Sequence, residues 1–199
     1  MDYTQKPEMI LFDVGGTLFD DGKCVPIDGL SKLRLLAENP DITDDVTLAQ
    51  LWDCYTQDAL GGKPKAKSGI NLDLPLSSII RYVTMKTGLR FNISMAEQEE
   101  VFDRYNSSRI VMDGLPELLC ALKGLHIRTA VISNNAMSGE SLQLAIKHWI
   151  PTANFEFYLT SADLLFAKPS KNIFAAAAEC LDDDYRRVHL GMDEAYMLG

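Results

Sequence analysis

Cationic side chains are scarce in this sequence. Nineteen Lys and Arg face 28 Asp and Glu, a formal charge of −9. A chain of that sign is repelled by a phosphate backbone, which argues against non-specific nucleic-acid binding. Long apolar runs are missing as well. The longest, Ile173 to Ala178, has six residues, against the roughly 18–20 that cross a bilayer. Met1 to Glu8 is polar and lacks the apolar run of a secretory signal. Cysteines number only four, Cys24, Cys54, Cys120 and Cys180, scattered without a CxxC pair, and three histidines are too few for a zinc cluster. Free thiols in a reducing cytosol fit that scatter better than a disulfide framework. The expectation is a soluble, cytoplasmic chain. What is present is ordinary for a globular protein: 47% hydrophobic and 24% charged residues exclude an intrinsically disordered chain. A length of 199 residues allows one large domain, or a core with one insertion.

Periodicity divides the chain into three parts. Met9 to Asp13 is a short apolar run stopped by glycines, as a buried parallel strand reads. From Lys23 to Arg109 the patterns are helical: Ile27 to Asn39; a helix N-capped by Thr43 and ending at Gly61-Gly62; Leu76 to Thr87, stopped by Gly88; and a helix opened by the capping-box spacing of Ser94 and Glu97. After Gly114 helices and strands alternate. Pro116 to Lys123, Ser141 to Trp149 and Pro169 to Leu181 read as helices. Ile127 to Ser133, Phe155 to Thr160 and Arg187 to Leu190 read as strands. That alternation predicts an α/β fold, a parallel sheet covered on both faces, with the helical stretch inserted after its first strand.

Open α/β sheets bind ligands at the carboxyl ends of their strands. Those ends carry Asp13-Val-Gly15-Gly16-Thr17, Ser133-Asn134-Asn135 and, on the last strand, Gly191-Met192-Asp193-Glu194, while Lys168 lies in the loop before the Pro169 helix. A carboxylate beside glycines suits nucleophilic attack on phosphorus and hard-oxygen ligation of magnesium. A hydroxyl, backbone N–H groups and a lysine suit phosphoryl oxygens. His126, His148 and His189 have no acid or nucleophile partner by spacing and read as structural. Lys63, Lys65 and Lys67 form the one basic cluster, either a solvated loop or an electropositive lip.

Four stretches then carry a resemblance: Ile10-Leu-Phe-Asp-Val-Gly-Gly-Thr-Leu18 with Asp20, Gly114-Leu-Pro-Glu-Leu-Leu119, Ala130-Val-Ile-Ser-Asn134 and Lys168-Pro-Ser-Lys-Asn-Ile-Phe174. In order and spacing, 120 residues from Asp13 to Ser133 and 35 more to Lys168, the chain resembles the haloacid dehalogenase (HAD) superfamily. The resemblance implies a Rossmann-like core over residues 1–22 and 110–199, its C-terminal end short, and an all-α cap over 23–109. It further implies a magnesium-dependent phosphatase of a small phosphorylated metabolite, with Asp13 forming a phosphoaspartyl intermediate. Lys168 would be catalytic; Thr17, Ser133, Asn134 and Lys168 would bind the phosphoryl group; Asp13, the Gly15 carbonyl and Asp193 would hold Mg²⁺.

The chain departs from the family pattern twice. Phosphatases of this family carry an aspartate two positions after the nucleophile, as general acid and base; here that residue is Gly15, so leaving groups that need a proton are expected to turn over slowly. The fourth motif has Met192 between Gly191 and Asp193 where the family has Gly-Asp. These departures keep a second reading open, a HAD-fold protein that binds a phosphorylated ligand or a partner without turnover. A dehalogenase fits less well, since that branch carries a tyrosine at the Gly15 position. Asp13-Val-Gly-Gly-Thr17 also resembles the first phosphate loop of actin-like sugar kinases, but the second glycine-rich loop and the length those enzymes need are missing.

Overall fold

A run of β-branched and aromatic residues that is apolar on both sides makes a strand only where both faces are covered, and the computed structural model, which describes residues 6–61, 74–180 and 197–198, shows how this chain covers them. Strand β1 (Met9–Phe12) sends Ile10 and Phe12 into one apolar cluster and Leu11 toward another. Strand β4 (Arg128–Ser133) repeats the division with Val131 and Ile132. Helices α5 (Leu115–Gly124) and α6 (Gly139–Trp149) cover the first face through Leu115, Leu122, Leu142 and Ile146; α8 (Lys171–Glu179) covers the second through Ile173 and Ala177.

With β5 (Tyr158–Thr160) and β6 (Met197–Leu198), these strands form a parallel sheet in the order β5-β4-β1-β6. The carboxyl ends of β1, β4 and β5 therefore open on one edge of the sheet. The sequence pattern starts β5 at Phe155, but residues before Tyr158 pack as irregular chain; a four-residue helix, α7 (Ser161–Leu164), then follows unforeseen. The expected strand at 187–190 lies outside the described residues.

Two more strands escaped the sequence pattern. Strands β2 (Phe19–Asp20) and β3 (Ile110–Val111) pair antiparallel, Phe19 with Val111 and Asp20 with Ile110, on either side of the helical stretch. Two residues are too few to show a period of two. Between them run α1 (Pro26–Leu35), α2 (Asp45–Gly61), α3 (Leu76–Thr87) and α4 (Met95–Asn106).

The start and stop signals of these helices are local, and most act as written. Gly88 closes α3 at φ 77°, in the left-handed region. Ser94 and Glu97 form both bonds of a capping box on α4, and those bonds hold the Glu97 carboxyl below its usual range. Helix α2 is a correction: Asp44, not Thr43, caps it, accepting from Thr47 N–H at 2.8 Å. Thr43 ends the preceding 3-10 turn instead, its hydroxyl buried without a partner among the described residues.

The helical stretch packs on the sheet layer rather than standing off it. Leu30 and Leu33 of α1, Leu48 of α2, Ile80 and Val83 of α3 and Phe102 of α4 share one apolar cluster with Met137 and with Ala145 of α6. Gly29 lets α1 reach α4, since a Cβ there would stand 2.6 Å from the Phe102 carbonyl. Glu99 of α4, fully buried, accepts from Ser77 N–H at 2.8 Å, from Ser138 N–H at 3.0 Å and from the hydroxyls of Ser138 and Ser141. No helix among the described residues is long and apolar enough to cross a membrane. All four cysteines are exposed, and none forms a disulfide among the described residues.

Candidate active site

The chain leaves β1 at Asp13 and turns at once. Thr17, Leu18 and Phe19 N–H all converge on the Val14 carbonyl, at 3.2, 2.8 and 3.1 Å, and Gly16 N–H donates to the Phe19 carbonyl at 2.8 Å. Gly16 sits at φ 72°, which glycine adopts without strain. None of these turn bonds uses the Gly15 carbonyl. Asp13 itself is partly exposed, and its Oδ1 accepts from Val14 N–H at 2.7 Å.

The loop before α8 brings Lys168 to the same carboxylate. Lys168 Nζ lies 2.8 Å from Asp13 Oδ1 and donates to the Ile132 carbonyl at 3.1 Å, its side chain mostly buried. Asn134 fixes that loop by gripping the lysine main chain on both sides: Lys168 N–H donates to Asn134 Oδ1 at 2.6 Å, and Asn134 Nδ2 donates to the Lys168 carbonyl at 3.1 Å. Ser133 is buried at the end of β4, and Thr17 lies half-buried on the turn. Their hydroxyls have no hydrogen-bond partner among the described residues. Asn135 ties the loop after β4 to α7, its N–H donating to Ser161 Oγ at 3.0 Å.

Of the residues singled out from sequence, Asp13, Gly15, Thr17, Ser133, Asn134 and Lys168 thus belong to one edge of the sheet, with Asp13 and Lys168 in contact. Asp193, Glu194, Met192 and the lysines at 63, 65 and 67 lie outside the described residues, as does His189. His126 and His148 lie off this edge, His126 at the turn into β4 and His148 against Trp149. No cluster of three metal-ligating side chains occurs among the described residues. The donors at the turn are nevertheless hard oxygens, a carboxylate whose Oδ2 no described residue engages and a carbonyl that the turn leaves out, and that chemistry fits magnesium.

Sequence reading missed the acidic group beside this turn. Asp21, just after β2, pairs through Oδ1 with Arg109 Nε at 2.9 Å. Arg109, buried, also holds Asp103 of α4 at 2.6 and 3.1 Å and stacks over the Phe19 ring at 5.0 Å. Burial pushes the Asp103 carboxyl above its usual range, against the pull of Arg109. The signal was present only as a run of acids, Asp20-Asp21-Gly22, which also reads as an ordinary hairpin.

A family model described as haloacid dehalogenase-like hydrolase matches residues 7–191. Solved structures similar to the chain include a HAD-superfamily hydrolase from Ehrlichia chaffeensis (24% identity, 88% of this chain and 73% of that one, TM-score 0.43). An L-2-haloacid dehalogenase is similar at 18% identity over the same shares, with a TM-score of 0.42. A hydrolase from Streptococcus pneumoniae is similar at 16% identity, over 88% of this chain and 78% of that one, with a TM-score of 0.39. No curated protein matches the chain. With every one of these TM-scores below 0.5, the family model carries the assignment.

Proposed function

Because the chain belongs to the haloacid dehalogenase-like hydrolases, we propose that it is a magnesium-dependent phosphatase of a small phosphorylated metabolite, working in the cytoplasm through a phosphoaspartyl intermediate on Asp13. The observation that carries this reading is the Lys168 ammonium, 2.8 Å from the Asp13 carboxylate at the carboxyl edge of a parallel sheet. The lysine contact and the Val14 N–H bond aim the carboxylate, as a nucleophile toward phosphorus must be aimed. Lys168 also neutralises charge that grows on the phosphoryl oxygens as the bond to Asp13 forms.

The remaining residues take roles that their placement allows. The Thr17 and Ser133 hydroxyls donate to phosphoryl oxygens. Asn134 holds the Lys168 loop with its side chain, which leaves its main chain for the substrate. Asp13 Oδ2 and the Gly15 carbonyl, with Asp193, would hold Mg²⁺, which when bound offsets the repulsion between the two anions. Helices α1 to α4, within residues 23–109, act as a cap over a core of residues 1–22 and 110–199 and select the substrate.

Hydrolysis of acetyl phosphate and p-nitrophenyl phosphate tests the reading. Phosphate release is expected with magnesium, lost on adding EDTA and recovered on adding excess magnesium. Release that ignores chelation would contradict the metal assignment, and halide release from a 2-haloacid without phosphate release would contradict the phosphatase.

A further inference from the structure

An alkyl phosphate cannot be cleaved well unless its leaving oxygen receives a proton, and the water that later attacks the phosphoenzyme must give one up. Gly15 has no side chain for either task. The structure fills the space beside it from elsewhere in the chain. A Cβ on Gly15 would stand 3.0 Å from Asp21 Oδ2, with no other described atom beyond its chain neighbours within 4 Å. A carboxylate carried by residue 15 would extend into that same space. Unlike Gly16, Gly15 does not adopt the left-handed conformation, so its backbone does not require glycine. What the absent side chain provides is room for Asp21.

We infer that Asp21 is the acid–base catalyst of this site, standing in space where Gly15 has nothing. The inference rests on the reading of Asp13 as nucleophile. Asp21 is held and still accessible: Oδ1 is pinned by Arg109, which Asp103 fixes in turn, while the side chain remains 42% exposed and Oδ2 has no partner among the described residues. Its neighbour Asp20 spends a carboxylate oxygen on Gly22 N–H at 3.1 Å.

This one group serves both half-reactions. An Asp13 oxygen bonds to phosphorus as the bond from phosphorus to the alkoxy oxygen breaks, and that oxygen takes the proton of the Asp21 carboxyl to leave as an alcohol. The Asp21 carboxylate then takes a proton from water as the water oxygen attacks phosphorus. The aspartyl oxygen–phosphorus bond breaks, inorganic phosphate leaves, and Asp13 is again a carboxylate and Asp21 a carboxyl.

The test compares glycerol phosphate, an alkyl phosphate, with acetyl phosphate, whose leaving group needs no proton, across the wild type, Asp13→Asn and Asp21→Asn. The wild type is expected to hydrolyse both. Asp21→Asn should lower kcat/KM on glycerol phosphate by about 10²-fold or more, and on acetyl phosphate by less than about tenfold. During acetyl phosphate turnover it should also accumulate a chain one phosphoryl group heavier. Equal losses on the two substrates, or no loss, with Asp13→Asn inactive on both, would overturn the role of Asp21 and leave the phosphatase standing. A wild type inactive on both, or an active Asp13→Asn, would overturn both. Should Asp21→Asn fail to fold, the exchange Gly15→Asp with Asp21→Ala decides. It returns a carboxylate to the same space, and glycerol phosphate turnover within about tenfold of wild type supports the inference. Its absence in a folded exchange variant overturns it.

Discussion

At the scale of single residues, the site is defined by what each side chain touches. Asp13→Asn keeps the shape of the side chain and its bond from Val14 N–H but gives up the charge opposite Lys168. An amide does not attack phosphorus, so turnover should vanish. The pair is partly open to solvent, so stability should change by no more than about 1 kcal/mol in either direction. Chemical denaturation of the variant checks the second half, and turnover above a few per cent of wild type would sink the first. Asp13, Ser133 and Lys168 could be named as candidates from the sequence because each ends or borders an element whose pattern is strong. Asp21 was not, because what singles it out is its approach to Gly15, a contact through space between two turns. Asn134 was a candidate from sequence alone, whereas its double grip on Lys168 crosses 34 positions and leaves no trace in spacing.

Elements were readable where their signals are local. Gly88 and the Ser94–Glu97 box fix the ends of α3 and α4 through groups at most four residues apart, so their spacing alone reveals them. Thr43 misled because either it or Asp44 can cap a helix, and only the register of the turn decides between them. The short pair β2–β3 joins residues some ninety positions apart with two residues on each side, and no local pattern marks it. Glu99 is likewise silent in the sequence: an acid on a helix reads as solvated surface, yet here it is buried and gathers α3, α4 and the start of α6. Glu99→Ala would leave two hydroxyls and two backbone N–H groups without their acceptor. It should cost about 3 kcal/mol, read as a lower denaturation midpoint. A loss below about 1 kcal/mol would mean that water or a neighbouring group takes over the acceptor role.

For the molecule as a whole, the parallel sheet follows from the alternation of strands and helices after Gly114, and it places the ends of β1, β4 and β5 on one edge. The helical stretch is bound to that sheet layer at two places. Its entry and exit are joined by Asp21, Arg109 and Asp103, and its middle is joined to α6 through Glu99 and a shared apolar cluster. The first junction also carries the carboxylate beside Gly15, so the device that anchors the insertion and the proposed acid–base group are one structure. Substrate choice was not legible, because no motif within the helical stretch encodes it.

Every role proposed for this site depends on Asp13 acting as a covalent nucleophile toward phosphorus. Acid quenching during acetyl phosphate turnover, followed by mass measurement of the intact chain and of its peptides, tests this directly. A chain heavier by one phosphoryl group is expected, labile to hydroxylamine, with the added mass on the peptide containing Asp13 and absent from Asp13→Asn. Continued phosphate release with no such adduct under rapid quenching, or an adduct that persists in Asp13→Asn, would contradict it.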